Sequence, residues 1–254
     1  MVALLLRKRY TATPLYLSLI IPAFREAERI GLSLDTIHKY LSSASYSSEV
    51  LVCDDGSPDN TVEVVKKHIL SLHSPNVSYR LIELGVNQGK GAAVKAGMLE
   101  ATGEIRIFTD ADLSTPIYEV EKIFAVMEKG GYDVVIGSRA LDGGALVKVH
   151  QPWYREAMGK FFNFLVQILV LRGIKDTQCG FKGFRADAAE KIFTEQKVMG
   201  FSFDVDILFI AKKLGYNIKE VAIEWYNDER TTVGAVSDSS KMFFELLRIR
   251  RLHQ

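Results

Sequence analysis

From residue 17 onward, short runs of β-branched and aliphatic residues alternate with stretches whose apolar positions recur at helical spacing. That alternation marks βαβ units, so it predicts an α/β fold of the Rossmann-like kind: a mostly parallel central sheet, helices on both faces and right-handed crossovers. Strands are expected at 17–21, 49–53, 79–83, 104–109 and 133–137, separated by helices over 26–42, 59–71, 88–101 and 116–129. After residue 138 the pattern changes. A Gly-containing loop (ALDGGALVKVHQP) leads to a long apolar helix over 153–172, a compact GFKGFR segment, a helix over 203–214 and a last strand over 218–225. The segment KMFFELLRIRRL mixes apolar positions with Arg248, Arg250 and Arg251, which reads as a basic amphipathic helix over 238–252. No internal repeat or low-complexity stretch divides the chain, so residues 1–254 are expected to form one domain.

Composition narrows the function. Lys and Arg number 32 against 31 Asp and Glu, a formal net charge of +1, so no global field points to nucleic acid. Two cysteines, Cys53 and Cys179, are too few for a disulfide framework, and both are expected to be buried small hydrophobes. The first residues place leucines ahead of Arg7, Lys8 and Arg9, the reverse of a signal peptide's charge order. The longest apolar run, 161–171, contains Asn163 and Gln167 and falls short of the roughly 20 residues a spanning helix needs. Contact with a membrane surface, rather than passage through one, is the expectation.

In open α/β sheets, ligands bind beyond the carboxyl ends of the strands. After the first expected strand come Pro22, Phe24 and Glu26, an exit that can stack on a base and meet a ribose or ring edge, or simply start a helix. After the second come Asp54 and Asp55, either of which can accept from a base or ribose, while Gly56 and Asp59 suit a turn and a helix cap. After the fourth come Asp110, Ala111 and Asp112. Two carboxylates one residue apart at the end of a buried strand repel each other unless a cation joins them, and hard oxygen ligands completed by diphosphate and water suit Mg2+ or Mn2+. Lys90, in NQGKG ahead of a helix, can meet an anion, although the spaced Gly-Lys-Ser/Thr of a P-loop is missing. Arg139, in GSR at the end of the fifth strand, can hold a phosphate with paired donors or serve a structural ion pair.

Taken in order, IIPAFREAERI, VCDDGSPDNT, NQGKGAAVKAG, FTDADLSTP and IGSRA resemble the family 2 glycosyltransferases of GT-A fold along nearly the whole chain. The likeness sharpens at IKDTQCGFK, FDVD and the 221–225 segment, which are similar to the dolichyl-phosphate (polyprenyl-phosphate) β-glucosyltransferases, with the mannosyltransferases of the same group as the nearest alternative. The resemblance implies inverting transfer of glucose from UDP-glucose to a dolichyl or polyprenyl phosphate on the cytoplasmic face of a membrane. It assigns Pro22, Phe24, Glu26, Asp54 and Asp55 to the nucleotide, Asp110 and Asp112 to the metal, and Arg139, Arg155 and Arg230 to the acceptor phosphate. Mannosyltransferase relatives often carry Gln two positions after the second metal Asp; Ser114 stands here, which disfavours the mannosyl reading. The membrane anchor or transmembrane helices of such relatives are not seen in this sequence. A lipid phosphate is its own nucleophile, so no general base is required; if one is, Asp204 is the first choice, and Asp204 or Asp206 is expected to contact the sugar or an arginine. Rival readings are a transferase with another sugar or a soluble acceptor, a receiver-type phosphotransfer site at Asp54 or Asp55, and a nucleotide-binding scaffold without turnover.

Overall fold

The computed structural model describes residues 15–141, 165–168, 170–226 and 237–254, with side chains in the last segment from residue 245. Seven strands form one sheet: β1 (Leu17–Ala23), β2 (Ser48–Asp54), β3 (Val77–Glu83), β4 (Ile105–Thr109), β5 (Val134–Ser138), β6 (Phe181–Arg185) and β7 (Ile218–Ala222). Their order is β3-β2-β1-β4-β6-β5-β7. All neighbours run parallel except β6, which is antiparallel to both β4 and β5. The five expected strands are present. GFKGFR turns out to be the sixth, and the last strand ends at Ala222 rather than at 225.

The helices are α1 (Ile30–Leu41), α2 (Thr61–Ser71), α3 (Lys90–Glu100), α4 (Val120–Gly130), α5 (Ala186–Glu195), α6 (Phe203–Lys213) and α7 (Ser237–Leu252), with a 3-10 turn at Ile117–Glu119. Every residue of β1, β2, β4 and β5 is buried, as expected of strands covered on both faces. Alternate side chains feed two cores. Leu17, Leu19 and Ile21 join Ile37, Val65, Ile107 and Phe124 under α1, α2 and α4. Ile20 and Phe108 join Phe184, Phe193, Phe203 and Ile249 under α3, α5, α6 and α7.

The chain passes from β1 to β2 on one side, and β4 lies on the other side of β1, so the β1–β4 seam is the point where strand order reverses. A crevice at the carboxyl ends belongs there.

Of the apolar helix expected over 153–172, residues 165–168 are helical, and Val166, Val170 and Leu171 are buried in the second core while Ile168 is exposed. The tail helix α7 also docks inward: Leu246 and Ile249 are buried. Its exposed positions are Leu247, Arg248, Arg250 and Arg251. It is fastened at its end, where His253 Nε2 meets Asp206 Oδ1 at 2.6 Å, and the ammonium groups of Lys197 and Lys213 donate to the carbonyls of Leu252 and His253. Leu246 and Ile249, expected to face a membrane, therefore pack on the protein, while Leu247 and the three arginines are offered to solvent. Among the described residues no helix is long and apolar enough to cross a membrane. Cys53 and Cys179 are buried and unpaired, and burial pushes both thiols up to about 12.

Candidate active site

The loops leaving β1, β2, β3 and β4 are stitched into one surface by side chains reaching across them. Arg25, in left-handed backbone at φ 59°, turns the chain away from β1, and its amide donates to Ser57 Oγ at 3.0 Å. The Glu26 amide donates to Thr61 Oγ1 at 2.8 Å. These bonds hold residues 26–29 as turns, so α1 begins at Ile30 rather than at 26. Pro22 lies inside β1 opposite Cys53, and Phe24 is half-buried beneath the Arg25 guanidinium, 5.2 Å from the ring centroid.

The two acids after β2 divide their tasks. Asp55 accepts from the Gln88 and Gly89 amides at 2.8 Å each and from Asn87 Nδ2 at 3.0 Å, so its carboxylate pins the loop ahead of α3. The carboxylate expected beside the nucleotide is thus engaged by the protein's own donors. Asp54 accepts from the Ser57 amide with Oδ2 at 3.0 Å, while its buried Oδ1 has no partner among the described residues. A buried acceptor without a donor is costly, and such a group calls for a ligand or water. Gly56 links the same loops. At φ 70°, it lies so close to the Val86 backbone that a Cβ would fall 2.6 Å from the Val86 carbonyl carbon.

Beyond β4, Asp110 and Asp112 leave the sheet on a turn stabilised by the Ser114 amide donating to Asp112 Oδ1 at 2.8 Å, with Leu113 at φ 50°. Ala111 is buried, and its carbonyl accepts from Ser33 Oγ at 2.6 Å, tying α1 to the turn. Lys90, the first residue of α3, places Nζ 2.5 Å from Asp110 Oδ1. Gly180 leaves room for the Asp110 carboxylate: a Cβ there would stand 2.0 Å from Oδ2. Burial, and then the charge of Asp110, push the Asp112 carboxyl above the usual carboxylate range. Burial disfavours the charge on Lys90, but Asp110 and then Asp204 outweigh it and hold the ammonium above the ordinary lysine value.

Two half-buried carboxylates that repel each other, one of them paired with Lys90, form a hard-oxygen donor set that fits a divalent cation carried by a diphosphate. Asp110 and Asp112 are the residues that would hold it. Among the described residues no cluster of three His, Cys, Asp or Glu side chains forms a complete metal cage, so the remaining ligands of such a cation would have to come from outside that set.

The other expected residues fall into different settings. Arg139 forms a two-pronged ion pair with Asp176, with Nε to Oδ2 at 2.8 Å and Nη2 to Oδ1 at 2.9 Å, and its guanidinium lies 5.4 Å from the Trp225 ring. That pair depresses the Asp176 carboxyl against the opposing effect of burial and raises the guanidinium. Asp204 is buried and its Oδ1 accepts from the Lys182 ammonium, itself fully buried, so Asp204 is not presented as an open base. Burial pushes its carboxyl above the usual carboxylate range, with Lys182 and then Lys90 pulling the other way. Asp206 accepts from the Lys197 and Val198 amides at 2.9 Å each and meets His253; it belongs to the helix fastening rather than to a sugar. Glu26 is clamped by Arg29, Oε1 to Nη2 at 2.7 Å, instead of standing free for a ribose. Arg155 and Arg230 lie outside the described residues.

Lys182, Asp176, Arg29 and Gly180 are contributors that the strand-end search does not single out. Lys182 carries one faint signal, a lone charge between aromatic and small residues in a short segment.

Solved structures share this architecture. Mannosyl-3-phosphoglycerate synthase from Rubrobacter xylanophilus matches with a TM-score of 0.66 and 20% identity over 94% of this chain and 74% of its own. Glucosyl-3-phosphoglycerate synthase from Mycobacterium tuberculosis, in a complex with Mn2+, UDP-glucose and phosphoglyceric acid, matches with a TM-score of 0.67 and 17% identity over 92% and 79%. At those identities the likeness is one of fold, and the fold is GT-A.

The profile of glycosyl transferase family 2 matches residues 18–193, and the chain belongs to that family. It is a glycosyltransferase. Within the family it is similar to dolichyl-phosphate beta-glucosyltransferases of several organisms. Dolichyl-phosphate beta-glucosyltransferase of Dictyostelium discoideum is 37% identical over 93% of this chain and 74% of its own length. The Saccharomyces cerevisiae and Homo sapiens proteins so named are each 34% identical, over 93% and 92% of this chain and 74% of their own lengths.

Proposed function

We propose that this chain transfers glucose from UDP-glucose to a dolichyl or polyprenyl phosphate, with inversion, at the cytoplasmic face of a membrane. The observation that carries the sugar and acceptor is the 34–37% identity to dolichyl-phosphate beta-glucosyltransferases along more than nine-tenths of the chain. The strand-end geometry is what such a reaction needs. Asp54, Pro22 and Phe24 offer a polar and aromatic bay for the base and ribose at the β1–β2 ends, with Asp55 fixing the loop beside it. Asp110 and Asp112 would hold Mg2+ or Mn2+ on the diphosphate, where the cation offsets charge on the departing UDP. Lys90 adds a second positive charge there.

A phosphate monoester has a second pKa near about 6, so the acceptor is largely dianionic at neutral pH. One of its oxygens bonds to the anomeric carbon as the bond from that carbon to UDP breaks, and no proton needs removing. This agrees with Asp204 being engaged by Lys182. Arg139, fixed between Asp176 and Trp225, is the described cation assigned to the acceptor phosphate; Arg155 and Arg230 are assigned with it. The exposed Arg248, Arg250 and Arg251 supply a basic face for anionic lipid headgroups.

The test is radiolabelled sugar transfer to a short polyprenyl phosphate from UDP-glucose, GDP-mannose and UDP-N-acetylglucosamine, with and without Mg2+ or Mn2+, in wild type and Asp112→Ala. A metal-dependent lipid product from UDP-glucose, absent in the variant, is expected. A product from GDP-mannose alone would replace the donor, and no lipid product from any donor would remove the acceptor reading.

A further inference from the structure

Strand β7 is an edge of the sheet, yet its residues frame the arginine at the end of β5. The two strands run parallel with Ser138 opposite Ala222, so the chain leaving β7 passes beside Arg139. Asp176 takes one edge of the guanidinium through Nε and Nη2, and also accepts from the Arg139 amide at 3.0 Å. Nη1 has no partner among the described residues, on a side chain that is 32% exposed. A guanidinium held by a carboxylate along one edge keeps its remaining donors for a second anion.

β7 and its exit hold this arrangement from two sides. Glu220 accepts from the Lys175 amide at 2.8 Å and from the Asp176 amide at 2.9 Å, one carboxylate oxygen for each, which fixes the backbone that carries Asp176. Trp225, just past the strand, places its ring centroid 5.4 Å from the guanidinium carbon of Arg139. A ring against a planar guanidinium restrains the plane in which its donors lie.

The next residue reaches the other side of the crevice. Tyr226 donates its amide to Ser114 O at 2.8 Å, and the Ser114 amide donates to Asp112 Oδ1 at 2.8 Å. Consecutive residues thus touch Arg139 and the turn that carries Asp112.

We propose that the Trp225–Tyr226 step aligns the acceptor phosphate with the donor diphosphate: the ring orients the open donors of Arg139, and the following amide ties that ring to the Asp112 turn. This rests on the assignment of Arg139 to the acceptor phosphate and of Asp112 to the donor side. Trp225 is then a positioning residue that acts through Arg139, and the in-line approach of the two substrates depends on a fixed spacing between adjacent residues.

The experiment measures glucosyl transfer to a short polyprenyl phosphate, with kcat and the KM of each substrate resolved, for wild type, Trp225→Leu, Trp225→Phe, Arg139→Lys and Arg139→Lys combined with Trp225→Leu. Trp225→Leu keeps the bulk and loses the ring face, and is expected to raise the acceptor KM about fivefold with the UDP-glucose KM unchanged. Trp225→Phe restores a ring and is expected to stay within about twofold of wild type. In the Arg139→Lys background Trp225→Leu is expected to cost little, because an ammonium has no plane for the ring to set. One glycine inserted between Trp225 and Tyr226 leaves each contact available but changes their spacing, and is expected to lower kcat by about tenfold or more while the protein melts near wild type. Where Arg139→Lys raises the acceptor KM, a wild-type value for Trp225→Leu, or an equal loss in both backgrounds, would overturn the positioning role and leave the acceptor assignment standing. A wild-type kcat after the insertion would overturn the alignment. Arg139→Lys with a wild-type acceptor KM would overturn the acceptor assignment and this inference with it, as would a wild-type protein that makes no lipid product.

Discussion

Replacing Gly180 with alanine puts one methyl group against the Asp110 carboxylate: Oδ2 at 2.0 Å, Cγ at 2.5 Å and Oδ1 at 2.7 Å. No real Cβ tolerates such contacts, so the carboxylate must move. It can, because it is the far end of a side chain that is 35% exposed. Swinging it off its rotamer costs about 0.5–1.5 kcal/mol. Breaking its bond to Lys90 costs a further ~1–2 kcal/mol, the lower part of the range for a charged hydrogen bond because both groups are partly solvated. The sum is about 1.5–3.5 kcal/mol, which for a chain of this size lowers the melting temperature by roughly 3–14 °C. Catalysis should suffer more, since displacing a positioned group by about 1 Å costs on the order of a hundredfold in rate. The assay pairs thermal melts with metal-dependent turnover of UDP-glucose. A folded Gly180→Ala protein with turnover within a factor of three of wild type would refute the placement of Asp110 at the reacting centre.

Other outcomes follow from neighbouring geometry. Asp55→Ala strips the acceptor from the Gln88 and Gly89 amides; at about 1 kcal/mol for each part-buried donor, melting should fall by roughly 4–8 °C, and the KM for donor should rise more than kcat falls. Gly56→Ala combines a φ of 70° with a 2.6 Å approach to the Val86 backbone, so a loss of more than about 2 kcal/mol is expected in denaturant titration, and a neutral result would contradict the loop geometry. Asp176 titrates below its unfolded value, so the stability it contributes is present above the usual carboxylate range and is lost as pH falls through its depressed folded value. Asp176→Asn should therefore flatten the acid limb of a melting-temperature profile below about pH 5. An unchanged acid limb would count against the Arg139 pairing.

Much of the sheet was readable because its strands are covered on both faces: runs such as LSLII and IRIF have no polar interruption long enough to break a strand pattern. β6 escaped that reading for a physical reason. Its central residues are Lys182, whose charge is neutralised by a helix 22 positions away, and Gly183, which makes room for Ile123. α5 was missed too, although Ala188, Ala189, Ile192 and Phe193 form its buried side; two alanines give a weak apolar signal. The acids at the strand ends were visible because topology fixes where strand ends go. Their partners were not: Asp176 lies 37 residues from Arg139, and no local spacing announces a pairing of that reach. Nor does local spacing announce that Asp204, the fallback base, pairs with Lys182, or that Asp55 holds the loop over residues 87–89.

The fastening of α7 through Asp206 and His253 has an orientational consequence. Asp206 sits two residues beyond Asp204 on the same helix start, so the basic outer side of α7 and the strand-end crevice are joined through α6. Whatever surface Arg248, Arg250 and Arg251 settle upon, the crevice meets it at one angle. The helix then acts as a bracket, and the fold itself relates that basic side to the strand-end crevice.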